Sequence, residues 1–115
     1  MYKIGEFSNI TGVSVKTLRY YDQIDLLKPS EINLYTNYRY YTDEELELYR
    51  TIEYLKKLGF TLEEIKKCIK DISIEDVLNK KDELILKRDY IDSQIEELDV
   101  LLKKIRLKAK ILKKH

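Results

Sequence analysis

Lys16, Thr17, Arg19 and Tyr20 put two cations, a hydroxyl and a phenol within one short stretch. On a helix Lys16 and Arg19, three apart, share a face. Long donors of this kind reach base edges and phosphates when a helix lies in the major groove of DNA; the same residues would also make an ordinary solvated helix surface. A second group is Asn37-Tyr38-Arg39-Tyr40-Tyr41, in which alternation along a strand puts Tyr38 and Tyr40 on one face and Arg39 and Tyr41 on the other. Six of the ten tyrosines fall between positions 20 and 41, which suggests an interface, because tyrosine offers apolar area with a polar tip. A tyrosine-rich stretch is also simply a good strand.

Other chemistries find little material. The single cysteine, Cys68, excludes an internal disulfide and fits a small buried position on a helix. The single histidine is the last residue, so no His/Cys cluster suggests a metal. There is no Ser/His/Asp set, no carboxylate pair in an apolar setting and no glycine-rich phosphate loop, so no enzyme and no cofactor are expected. No apolar run is long enough for a membrane span or a signal peptide, and the expected location is the cytoplasm. The net charge of +1 is unlike that of a plainly basic DNA-binding domain. Splitting the chain does not change this: residues 1–42 carry five basic and four acidic side chains. A case for DNA therefore rests on arrangement.

The elements that must hold these residues can be read from periodicity and punctuation. Residues Tyr2-Lys3-Ile4 suggest a short strand. A helix over Gly5–Thr11 carries Phe7 and Ile10 and stops at Gly12. Ser14 can cap a second helix, Val15 to about Gln23, with Val15, Leu18 and Tyr21 along one side. Two short helices joined by a three-residue break form a helix-turn-helix pattern. Pro29 then favours extended chain, and residues 28–41 read as a two-stranded hairpin, a wing, with its tip near Asn33 to Asn37. Thr42 with Glu45, and Thr61 with Glu64, are capping boxes that open helices ending near Leu58 and Lys70. Ile65, Leu62 and Ile69 face inward on the second of these, and Ser73 can cap one more helix.

The last element is the longest. Val77, Leu84, Ile91, Leu98, Ile105 and Leu112 recur every seventh residue, with a second line at Ile95, Leu102 and Ala109 that is polar earlier, at Lys81 and Arg88. These are the two apolar positions of a heptad repeat. A helix over 77–112 spans roughly 54 Å at 1.5 Å per residue, more than the head that precedes it can cover. A partner helix is implied, most simply from a second copy. The expected interface is Leu84, Ile91, Ile95, Leu98, Leu102, Ile105 and Leu112. The expected fold is mainly α: a winged helix-turn-helix domain over 1–72 and a coiled-coil dimerisation helix over 73–115.

The Ile4-Gly5-Glu6 opening followed by the segments KTLRYYDQIDLLKP, TNYRYYTDEEL and KKLGFTLEEIKK resembles, over Ile4 to Ile65, the MerR family of bacterial regulators. The wing sequence TNYRYY is similar to members that sense multidrug cations and switch on efflux genes. In those members a ligand-binding domain follows the coiled coil, and this chain stops where it would start, as a truncated or a short member would. The resemblance implies DNA contacts from Ser14, Val15, Lys16, Thr17, Arg19, Tyr20 and Tyr21, from Tyr38, Arg39 and Tyr40 of the wing, and from Lys56. Packing beneath the sheet is the alternative role for Tyr40 or Tyr41, and Lys56 with Lys57 also suits a helix C-terminus on dipole grounds alone. The family's mode of action implies a homodimer on double-stranded promoter DNA that acts on RNA polymerase indirectly, by distorting the promoter spacer. An excisionase-like or architectural winged-helix binder, and a coiled-coil interaction module without DNA binding, remain as alternatives.

Overall fold

Gly12 has φ 77° and ψ 1°, and its N–H bonds the Ser8 carbonyl at 2.9 Å, which ends the first helix in a left-handed cap. Nothing lies within 4 Å of where a Cβ would sit, so the glycine is required by backbone conformation alone. Three residues later the chain is helical again. The structure, a computed structural model, describes residues 1–114. They run β1 (Tyr2–Lys3), α1 (Ile4–Thr11), α2 (Val15–Gln23), β2 (Glu31–Ile32), β3 (Arg39–Tyr41), α3 (Asp43–Lys57), α4 (Leu62–Cys68) and α5 (Ile74–Lys113). Met1–Ser73 forms one compact unit, and a second begins at Ile74.

The wing is larger than a hairpin. β3 is the central strand of an antiparallel sheet ordered β1-β3-β2, with Tyr2 opposite Tyr41, Lys3 opposite Tyr40 and Ile32 opposite Arg39. The N-terminal strand thus anchors the wing to the start of α1. At the wing tip the Asn33 side-chain oxygen accepts from the N–H groups of Tyr35 and Thr36, at 2.9 and 3.1 Å, and Asn37 adopts φ 62°. Asparagine suits both tasks, bonding its own turn and tolerating the left-handed region.

The core of the first unit gathers Phe7, Leu18, Tyr21, Leu26, Leu27, Tyr41, Tyr49, Ile52, Leu55, Phe60, Ile65 and Cys68. Phe7 and Tyr41 stack with centroids 4.5 Å apart. Tyr41 is wholly buried and its hydroxyl has no hydrogen-bond partner; burial foremost, then the Asp22 charge, pushes the phenol up to about 12. Ile10, at helical spacing from Phe7, is instead exposed, and Phe7 is the one residue of α1 that is buried.

Of the two expected capping boxes, one forms. Thr61 accepts from the Glu64 N–H at 3.1 Å while the Glu64 carboxylate accepts from the Thr61 N–H at 2.8 Å. The Thr42 hydroxyl makes no backbone cap; it donates to the carboxylate of Glu45, which is buried and so takes the nearest donor.

In α5 the heptad residues Leu84, Ile91, Ile95, Leu98, Leu102, Ile105 and Leu112 are all exposed, and Lys80 is the only residue of that helix that is buried. Apolar residues also lie off the seam, among them Leu86, Tyr90, Val100, Leu107 and Ile111.

Candidate nucleic-acid interface

α2 is held at its start by Ser14, whose Oγ accepts from the Thr17 N–H at 3.1 Å and lies 2.9 Å from the Thr17 hydroxyl. The Ser14 hydroxyl is therefore engaged in the cap rather than waiting for a phosphate. Leu18 and Tyr21 turn into the core, which obliges the rest of the helix to face out. Lys16, Arg19 and Tyr20 are exposed, and Val15 and Thr17 are half-buried at their margin. All five line an open concavity of about 1200 Å³ that also takes in Asp22, Gln23, Asp25, Lys28 and Arg39.

The wing reaches this helix through Arg39. Arg39 and Arg19 both border a second concavity of about 360 Å³ with Lys3, Asn37 and Tyr38. Tyr38 is exposed, and the Lys3 ammonium sits 5.0 Å from its ring centroid. Arg39 is not a free arm: its Nε donates to Asp22 Oδ2 at 3.2 Å. Tyr40 is half-buried and Tyr41 fully buried, so the packing role falls to Tyr41.

Tyr21 needs correction as a direct contact. It is 2% exposed, because the face shared with Leu18 is the core face. Its hydroxyl instead accepts from the Lys56 ammonium at 3.2 Å, with Glu53 3.4 Å from the same nitrogen. The Tyr21 hydrogen bond first, then the charge of its neighbours including Glu53, raise the Lys56 pKa and keep it cationic, while 41% of its side chain stays open to solvent. Tyr21 thus reaches the surface through Lys56.

The structure adds residues that local sequence reasoning did not single out. Lys3 joins the surface because β1 pairs with β3, a contact between residues far apart in sequence. Lys28 lies 3.2 Å from Asp22 and 2.8 Å from Asp25, and these two carboxylates raise its pKa. Leu34 and Tyr35 at the wing tip are almost wholly exposed, a placement that the turn residues Asn33 and Asn37 could have signalled. Among the described residues no group of three His, Cys, Asp or Glu side chains could hold a metal ion, and no helix is long and apolar enough to cross a membrane.

The combination of exposed helix and wing has close parallels. The profile of the MerR HTH family regulatory proteins matches residues 2–72. The multidrug-efflux transporter 1 regulator of Bacillus subtilis is 41% identical over 107 residues, which cover 90% of this chain and 38% of that protein. The crystal structure of MtaN, the N-terminus of the Bacillus subtilis multidrug transporter activator, superposes with a TM-score of 0.80 at 34% identity, covering 89% of this chain and 98% of that one. EcmrR, in a cryo-EM structure of its DNA complex, superposes with a TM-score of 0.78 at 31% identity, covering 89% of this chain and 38% of that one. The chain spans under two fifths of the length of the curated relatives first matched.

Proposed function

Since the chain belongs to the MerR HTH family of regulatory proteins, we propose that it is a sequence-specific transcription regulator that binds a promoter inverted repeat as a homodimer. The observation that carries this reading is the shared surface of α2 and the wing, where Lys16, Arg19 and Tyr20 lie beside Tyr38 and Arg39. A duplex offers phosphates at the groove walls and base edges between them. Cations and a phenol on the helix suit both, while the wing cations and Lys56 suit the backbone. EcmrR, alike in fold, is bound to DNA in its structure.

The dimer would close through α5. Its outward heptad stripe leaves a row of large apolar side chains in water, a state that a second copy relieves. Charge favours head-to-tail helices. Residues 74–99 carry nine acidic and four basic side chains, and residues 100–114 carry seven basic and no acidic ones. An antiparallel pair sets each basic half against an acidic half, whereas a parallel pair sets basic against basic. Two heads at fixed separation then read two half-sites, and bending or untwisting of the DNA between them acts on RNA polymerase through DNA shape. A DNA-directed role is in keeping with action in the cytoplasm.

The test is binding of the purified chain to duplexes selected from a randomised library, at several salt concentrations. The expected result is enrichment of an inverted repeat and a log–log salt slope equivalent to several released counterions. Failure to retain any duplex at low salt would overturn the reading.

A further inference from the structure

Asp22 is out of place by charge. It lies on the recognition helix among Lys16, Arg19, Lys28 and Arg39, with Asp25, itself paired to Lys28 at 2.8 Å, as the second carboxylate of the concavity, and an open carboxylate there would repel the phosphates that these cations suit. It is not open, since its side chain is only 14% exposed and both oxygens are occupied. Oδ1 accepts from the Lys28 ammonium at 3.2 Å, and Oδ2 accepts from Arg39 Nε at 3.2 Å. Lys28 belongs to the loop that leaves α2, and Arg39 to the strand that returns from the wing tip. One carboxylate therefore ties three consecutive parts of the surface together.

The choice of the Nε donor matters. A guanidinium has five N–H donors in a rigid fork. Holding it by Nε fixes its plane and leaves the terminal nitrogens to meet a phosphate. A lysine at position 39 would keep the charge and lose the fixed plane.

We propose that Asp22 is a positioning residue for DNA recognition: its carboxylate locks the wing to the recognition helix and orients the Arg39 guanidinium. This rests on the DNA-binding reading above. The consequence runs against simple electrostatics. Replacing Asp22 by a neutral residue adds one positive charge to the surface, which by itself strengthens binding to any duplex. Loss of positioning weakens binding only where helix and wing must engage one site together.

The experiment uses the full chain, the inverted-repeat duplex it selects, and an unrelated duplex of equal length, all at one salt concentration. Asp22→Asn is expected to lose about tenfold or more in affinity for the selected duplex, with affinity for the unrelated one unchanged or higher. The double variant Asp22→Asn with Arg39→Gln is expected to bind no worse than Arg39→Gln alone. Arg39→Lys, which preserves charge, is expected to show the same selective loss and covers the case in which Asp22→Asn does not fold. Unaltered selective binding by Asp22→Asn, equal losses on both duplexes, or additive losses in the double variant would overturn the positioning role. Selective binding by the parent chain leaves the broader reading standing in each of those cases; only its absence removes both.

Discussion

Arg19 and Tyr20 face solvent because Leu18 and Tyr21 beside them are the ones drawn into the core. The division was legible from the spacing of Val15, Leu18 and Tyr21, although Tyr21 went further inward than a direct DNA contact would allow. The engagement of Arg39 by Asp22 was not legible, since it joins residues 17 apart across a turn whose geometry no local pattern fixes. On the DNA-binding reading, Arg19→Ala should weaken binding to the selected duplex by about tenfold or more, as measured by fluorescence anisotropy; tight binding by that variant at ordinary salt would remove the recognition-helix assignment. Tyr41 is tested by stability. Its phenol is pushed up to about 12 by burial, so the folded state keeps the proton that an unfolded chain would release near pH 10. The associated stability is constant below about pH 10 and drains away as pH climbs from there toward 12. Tyr41→Phe should unfold with a weaker alkaline dependence in urea titrations and, with no hydrogen bond to lose, at neutral pH should differ from the parent by no more than about 1 kcal/mol.

At the scale of elements, helices declared themselves through glycine stops, caps and apolar spacing. α1, α2, α3 and α4 lie where the sequence placed them, within a residue or two, and α5 contains the helix expected over 77–112. Tyr2–Lys3 reads as a short strand, but its place in the sheet is not legible, because two residues acquire a strand's identity only from the distant partner they bond. The Thr42 box failed for a related reason: burial of Glu45, a tertiary event, redirected the hydroxyl that local sequence assigned to the helix end. The turn between α1 and α2 depends on Gly12 at φ 77°. Gly12→Ala should cost about 1 kcal/mol in chemical denaturation, from the left-handed backbone alone, since the space beside it is empty. A loss of several kcal/mol would mean that packing, not conformation, governs this turn.

For the whole molecule, the long apolar repeat of α5 was the plainest message in the sequence, and the structure leaves it uncovered in the protomer. Leu98 is 58% exposed there, so Leu98→Lys should leave the melting of the first unit within about 0.5 kcal/mol of the parent. On the proposed dimer, the same change should convert dimers to monomers in sedimentation velocity and strip away affinity for a paired site. An unchanged sedimentation coefficient would show that the heptad stripe is not where two copies meet. The open stripe also bears on dosage. While single chains outnumber pairs, mass action makes the supply of pairs rise with the square of expression, so halving synthesis lowers it about fourfold. On the proposed dimer, a gene governed by such pairs would answer to the amount of this protein more steeply than in proportion.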